Sequence, residues 1–276
     1  MIKLFVTDLD GTFLNNKGLF DTQLFSQVYT EMQKRGIAFA ACTGKQCERV
    51  EKLFGKLGKG IWILGDSATR IKKDGEVVKE FTIDNSLAQK SIREIERFDP
   101  EITVIACTSD AAYVLSTIKD ELFKVVKGSY ERVVKIDSFS KIDSDFIKIT
   151  IYDLKGRSTV LRKHVENTLL GQIYIVDSES RWLDITAIHT HKGETVKELQ
   201  EMLGVTYDET VSFGDGENDV ELMSIAKYSF AVGNACENTK RAASFITKSN
   251  EENGVLITIQ KLMDLQEVKD NYFNFR

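Results

Sequence analysis

The strongest constraint on the fold is a rhythm carried by both ends of the chain, in which short apolar runs alternate with helical patterns. At the start, "KLFVT" reads as a buried strand. Leu24, Val28 and Met32 then recur at four-residue spacing in a helix that Asp21 can cap and Gly36 can end. "IAFAAC" and "IWIL" supply two further strand runs, with the loop and helix pattern of "TGKQCERVEKLFGKL" between them. A βαβαβ succession of this kind pairs its strands in parallel, since each crossover helix returns the chain to the end at which it started. After Lys192 the rhythm resumes through "ETVKELQEMLG", "TVSFG", "NDVELMSIA", "SFAVG", a helix near 236–243, "SFIT" and a final helix. The expected fold class is α/β, with a Rossmann-like parallel-sheet core.

Between those ends the pattern loosens. "TRIKKDGEVVKEF" places two strand-like runs around Asp74-Gly75, a hairpin signal. From about residue 82 to 186, helix patterns near 84–98 and 158–170 accompany strands at "ITVIAC", "FIKITIY", "QIYIV" and "WLDI". These strands read as an antiparallel sheet with one solvated face. The expected division is one domain built from residues 1–81 and 187–276, with a second, α+β domain at 82–186 inserted in it.

A chain of 276 residues, 42% hydrophobic and 29% charged, with Pro100 as its one proline, has the composition of a folded globular protein. The apolar start is only a few residues long and runs straight into acids, which excludes a secretory or membrane-spanning segment and makes the cytoplasm the expected compartment. A formal net charge of −5, with acids and bases interspersed, argues against a nucleic-acid surface and favours a small-molecule partner. The expected assembly is a monomer or small homo-oligomer. Cys42, Cys47, Cys107 and Cys236 are scattered, with no Cys-x-x-Cys pair and no histidine at zinc spacing, which reads as reduced thiols.

In an open parallel sheet, ligands bind beyond the carboxyl ends of the strands. The residues at those ends are Asp8 and Asp10, Thr43 and Gly44, Gly65 and Asp66, and "GDGEND" at 214–219, while Lys192 opens the helix leading to the last of these. Each alone has an ordinary explanation. Asp-x-Asp-Gly is turn chemistry, and acids are favoured in the first turn of a helix by its dipole. Their convergence on one sheet edge is what points to chemistry. Other motifs fail on spacing. Six residues separate Cys42 from Arg49 where the cysteine-phosphatase loop has five, "DGENDVEL" has Val220 where a calcium loop needs glycine, and "GDGEND" lacks the third glycine of a dinucleotide fingerprint. His164, His189 and His191 form no zinc set.

Taken together and in this order, the segments resemble the signatures of the haloacid dehalogenase superfamily of phosphohydrolases. "DLDGT" is similar to the first motif, Thr43-Gly44 to the second, Lys192 to the third and "GDGENDVELM" to the fourth. The resemblance is closer to the Cof-type subgroup, with a type IIB cap inserted between the second and third motifs, because residues 231–255 also resemble that subgroup's C-terminal stretch.

The resemblance implies a Mg²⁺-dependent phosphatase for a small phosphorylated metabolite, sugar phosphates favoured, acting through an aspartyl-phosphate. Asp8 would be the nucleophile and Asp10 the proton carrier. Asp8, Asp215 and the Asp10 backbone carbonyl would hold the metal, with Asp219 behind them. Thr43, Gly44, Lys192 and Asn218 would bind the phosphoryl group. The charge logic agrees, since a carboxylate attacking a phosphate dianion needs neutralising positive charge. Two positions depart from the subgroup's usual pattern. Lys45 stands where arginine is frequent, and Gly65-Asp66-Ser67 where Asn-Gly follows the third strand, which makes Asp66 a possible substrate contact beside Arg181, Trp182 and Asp184. A phosphomutase of the phosphomannomutase type and a non-catalytic phospho-acceptor or metabolite-binding regulator are the alternatives; the paired Asp8 and Asp10 argue against the latter.

Overall fold

The computed structural model describes residues 1–169, 171–179 and 181–274. The chain forms two compact units, one of Met1–Thr43, Lys56–Trp62 and Lys192–Arg276, the other of Gly44–Gly55 and Ile63–His191. Its opening elements are β1 (Leu4–Thr7), α1 (Thr22–Lys34), β2 (Ala38–Cys42), α2 (Cys47–Phe54), β3 (Trp62–Gly65), β4 (Arg70–Lys73) and β5 (Glu76–Glu80). The middle of the chain follows with α3 (Asn85–Phe98), β6 (Thr103–Cys107), β7 (Ala112–Leu115), α4 (Asp120–Ser129), β8 (Val133–Ile136), β9 (Lys148–Tyr152), α5 (Ser158–Thr168), β10 (Ile173–Glu179) and β11 (Trp182–Ala187). The chain ends with α6 (Lys192–Leu203), β12 (Thr210–Gly214), α7 (Val220–Ser224), β13 (Tyr228–Ala231), α8 (Glu237–Ala242), β14 (Phe245–Ile246) and α9 (Gly254–Asn274).

In the first unit the strands run in the order β14-β13-β12-β1-β2, all parallel, as the crossover helices require. β1 is an interior strand, paired with β12 on one side and β2 on the other, and all four of its residues are buried. Phe5, Phe213, Phe230 and Phe245 stack across β1, β12, β13 and β14 with centroids 6.5, 5.4 and 5.1 Å apart, tying the sheet together on one face. The chain winds outward from β1 in one direction through β2 and from β12 in the other through β13 and β14. The crevice beyond the carboxyl ends of β1 and β12 is therefore the switch point at which such sheets bind ligands. α1 is capped as its sequence predicts, with the Leu24 N–H donating to Asp21 Oδ1 (2.9 Å) and Gly36 taking positive φ just beyond the last turn.

In the second unit, β4 and β5 form the expected hairpin. Asp74 and Gly75 have φ of 51° and 88°, the positive values that a type I′ turn demands at both central positions. The larger sheet runs β10-β11-β9-β6-β7-β8 and is antiparallel apart from the β7/β8 pair. It has no wholly solvated face at its centre, contrary to the sequence expectation. α3 and α5 pack one side over Val104, Ala106, Ile149 and Ile151, and α4 packs the other over Ile105, Cys107 and Val114. The amphipathic look of "FIKITIY" has a different origin. Lys148 and Thr150 are buried too, in a polar network on the α4 side. β7, α4 and β8 had no element assigned to them from sequence.

Candidate active site

The site grows out of β1. Its ladder runs on through Asp8, whose backbone N–H donates to the Phe213 carbonyl (3.0 Å), so the Asp8 side chain is fixed at the sheet edge with only 6% exposure. The loop that follows is anchored by buried Leu9. Its carbonyl accepts from the N–H groups of Phe13 (3.1 Å) and Leu14 (2.8 Å), and both of those side chains are buried. Lys192 opens α6, where a helix dipole disfavours a cation, and it is held there by two carboxylates. Its Nζ donates to Asp8 Oδ1 at 2.5 Å and to Asp219 Oδ1 at 2.6 Å. Asp219 uses its other oxygen to accept the N–H groups of Asp215 (2.9 Å) and Gly216 (3.0 Å), which shapes the turn after β12. The Thr12 hydroxyl donates to Asp215 Oδ1 at 2.6 Å and aims that carboxylate.

Burial is the largest influence on Asp8 and pushes its carboxyl well above the usual range, with Asp219 and Asp215 adding to the rise against the pull of Lys192. Asp215 is raised by burial, opposed by its Thr12 hydrogen bond and reinforced by repulsion from Asp219 and Asp10. Burial alone would lower Lys192, yet Asp219 and Asp8 outweigh it and hold the ammonium above its ordinary value. Three carboxylates thus share one buried ammonium, and the cluster is short of positive charge. Asp8, Asp215 and Asp219 each present an oxygen, all within 4.8 Å of one another. An all-oxygen donor set with excess negative charge fits a hard divalent cation.

The structure brings Asp8, Lys192, Asp215 and Asp219 together in the first unit. Asp10 is exposed on the loop beyond Asp8 and close enough to Asp215 to repel it. Thr43 is buried just after β2, and Asn218 is half-buried in the turn between β12 and α7. Gly44 and the remaining sequence-predicted residues belong to the second unit. There Asp66 is buried and accepts the Cys47 N–H (3.2 Å), Asp184 is buried on β11, Arg181 is exposed, and Trp182 packs at a 45° tilt against Tyr152 (4.6 Å between centroids).

Three residues of the site carried no role in the sequence reading. Thr12 orients Asp215. Asn234 donates from Nδ2 to the Gly11 carbonyl (2.7 Å), while its own Oδ1 accepts the Asn250 N–H (3.0 Å), so it pins the loop after Asp8. Gly11 is required twice over, because its φ is +78° and a Cβ there would lie 2.5 Å from Asp215 Oδ2. Gly11→Ala should cost about 1–3 kcal/mol of stability from the backbone strain alone and displace Asp215 as well. Urea unfolding and a phosphate-release assay on the same preparation check both effects.

A parallel sheet with carboxylates and a lysine gathered at its switch point can hold a divalent cation and, beside it, an anionic ligand. The comparisons give the class. A family described as haloacid dehalogenase-like hydrolases matches residues 5–259. The chain is 29% identical over 266 residues to the 5-amino-6-(5-phospho-D-ribitylamino)uracil phosphatase YbjI of Escherichia coli, covering 95% of this chain and 96% of that one. It is 25% identical to the phosphatase YwpJ of Bacillus subtilis, covering 95% and 100%. The crystal structure of SMU.1108c from Streptococcus mutans superposes with a TM-score of 0.89 at 26% identity, over 96% of this chain and 100% of that one. The chain belongs to the haloacid dehalogenase-like hydrolases, and it is a phosphatase of that family.

Proposed function

We propose that this phosphatase is Mg²⁺-dependent, works through an aspartyl-phosphate on Asp8, and acts on a small phosphorylated metabolite of the sugar-phosphate kind. The observation that carries the reading is the cluster of buried Asp8, Lys192 and Asp219 with half-buried Asp215 at the switch point. A Mg²⁺ held by Asp8, Asp215 and the Asp10 carbonyl supplies the positive charge that lets a carboxylate approach a phosphate dianion. Asp8 attacks phosphorus, forming one P–O bond as the bond to the leaving oxygen breaks, and Asp10 gives that oxygen its proton. Asp10 then takes a proton from water as the water oxygen bonds to phosphorus, freeing inorganic phosphate and restoring Asp8. Lys192 keeps Asp8 oriented, Asp219 holds Lys192 in turn, and the Thr43 hydroxyl, the Gly44 N–H and Asn218 bind phosphoryl oxygens. Residues 82–186 act as the cap that selects the leaving group, with Arg181 and Trp182 as candidate contacts.

The sugar-phosphate preference draws support from the E. coli relative, whose named substrate carries its phosphate on a ribityl chain. No helix among the described residues is long and apolar enough to cross a membrane, and we place the enzyme in the cytoplasm. The test is phosphate release across sugar phosphates, nucleotides and pyridoxal phosphate, with Mg²⁺ and with EDTA. Hydrolysis concentrated on sugar phosphates and abolished by EDTA is the expected result. Activity indifferent to EDTA would refute the metal assignment.

A further inference from the structure

A second buried polar cluster lies in the unit that carries β9 and β11, and the catalytic reading above does not use it. Lys148 on β9 is 3% exposed, and its Nζ donates to Asp184 Oδ2 (3.0 Å), to Ser67 Oγ (3.1 Å) and, at 3.5 Å, to the Gly44 carbonyl. An ammonium has three donors, and here they meet three acceptors. Asp184 accepts from the Ser67 hydroxyl on the same oxygen and from Thr150 Oγ1 (2.5 Å) on the other, while Tyr130 donates its hydroxyl to Thr150 (2.9 Å). Groups so fully engaged act through what they hold in place.

What they hold is Ser67, the middle of three successive residues, Asp66, Ser67 and Ala68, with φ of 55°, 63° and 64°. L-residues visit the left-handed region singly, and three in a row need restraint from outside the turn. The turn grips the segment that follows Thr43. The Asp66 N–H donates to the Lys45 carbonyl (2.7 Å), and Asp66 Oδ2 accepts the Cys47 N–H (3.2 Å) and pairs with Arg70 (3.4 Å). Gly65 closes the contact, since a Cβ there would lie 2.6 Å from Cys47 Sγ and 2.9 Å from the Lys45 carbonyl oxygen. Residues 44–47 and the turn at 65–69 are therefore one packed piece, and the chain enters it directly from Thr43.

We propose that Lys148, Asp184 and Ser67 are positioning residues that fix the backbone after Thr43, so that this network sets how tightly the phosphoryl group is held whatever the leaving group. The inference rests on the phosphatase reading, which assigns phosphoryl oxygens to Thr43 and Gly44. Because the peptide unit is planar and trans, holding the Gly44 carbonyl also sets the direction of the Lys45 N–H, so the network orients a donor as well as an acceptor.

The experiment is calorimetric titration of inorganic phosphate, with Mg²⁺ present, into wild type and Ser67→Ala. This variant leaves the Lys148 and Asp184 pair intact, so the buried charges stay compensated and the protein should stay folded, with a melting temperature lowered only by the loss of the two Ser67 hydrogen bonds. The expected result is a phosphate Kd raised about ten- to a hundredfold, with KM for p-nitrophenyl phosphate and for a sugar phosphate rising by a common factor and kcat changing less. Asp66→Ala, which removes the acceptor of the Cys47 N–H at the other end of the turn, should weaken phosphate in the same way. An unchanged phosphate Kd in Ser67→Ala overturns the inference, and so does absence of phosphate binding by wild type. A KM rise confined to the sugar phosphate also overturns it, because the network would then be a leaving-group contact. Failure of the phosphatase reading shows separately, as no phosphate release by wild type, while the calorimetric comparison needs no turnover.

Discussion

Purified Asp8→Asn protein should release no phosphate above background, a fall on the order of 10⁴–10⁶-fold on any substrate that wild type hydrolyses. An amide has no anionic oxygen to form the bond to phosphorus, and the rest of the machinery does not replace it. The fold should survive. Asp8 is a buried carboxylate that burial disfavours, and an asparagine Oδ1 can still accept from Lys192. The melting temperature is therefore expected to match or exceed that of wild type, which separates lost chemistry from lost structure. Asp10→Asn should behave differently, losing about 10²–10⁴-fold on a sugar phosphate and less on p-nitrophenyl phosphate, whose leaving oxygen departs without a proton. Single-turnover transfer of the phosphoryl group to Asp8 from the two substrates checks the division of labour, because the later hydrolysis, in which Asp10 also acts, is common to both. Substantial turnover by Asp8→Asn, or equal losses for Asp10→Asn in that first transfer from both substrates, contradicts the mechanism.

Much of the fold was legible because its signals are local. "LFV" is an apolar run since β1 is covered on both faces, Asp21 and Gly36 bracket α1 by cap chemistry, and in the second unit Asp74-Gly75 has the two positive φ values its sequence suggests. Asp8, Lys192 and Asp215 could be named because parallel topology sends strand ends to one edge, so residues 184 and 207 positions from Asp8 need only sit at the right ends of their own elements. The stretch 112–136 was not legible for the converse reason. β7 and β8 are short and carry alternating or half-exposed residues, and α4 buries only Val126, so neither period stands out. The polar network of Lys148, Asp184 and Ser67 was hidden as well. Lys148 inside an apolar strand reads as a solvated face, and only long-range packing brings the partners that make its burial tolerable. Thr12 and Asn234 were visible as letters within recognised segments, but their roles are set by hydrogen bonds to Asp215 and Gly11, which no local pattern specifies.

Lys192→Met tests whether the site is held together by the charge balance inferred for it. The side chain is 5% exposed and methionine roughly fills its volume, so the change removes charge more than packing. Asp8 and Asp219 then face each other in a buried setting with Asp215 nearby and no ammonium among them. Breaking a buried ion pair from one side costs about 3–5 kcal/mol, because the surviving charge is left uncompensated. Urea unfolding in EDTA should show a loss of that size, together with loss of phosphate release. Two rescues distinguish charge from shape. Adding Mg²⁺ should recover part of the stability, since a divalent cation on the same carboxylates offsets the missing ammonium. Asp219→Asn in the Lys192→Met background should also recover stability, by removing one of the opposed carboxylates while keeping an oxygen for the Asp215 and Gly216 N–H groups. Neither should restore turnover, because Asp8 is no longer oriented for attack. A Lys192→Met protein as stable as wild type in EDTA would mean that the carboxylates do not share their charge through Lys192, and the argument that the cluster is short of positive charge would fall with it.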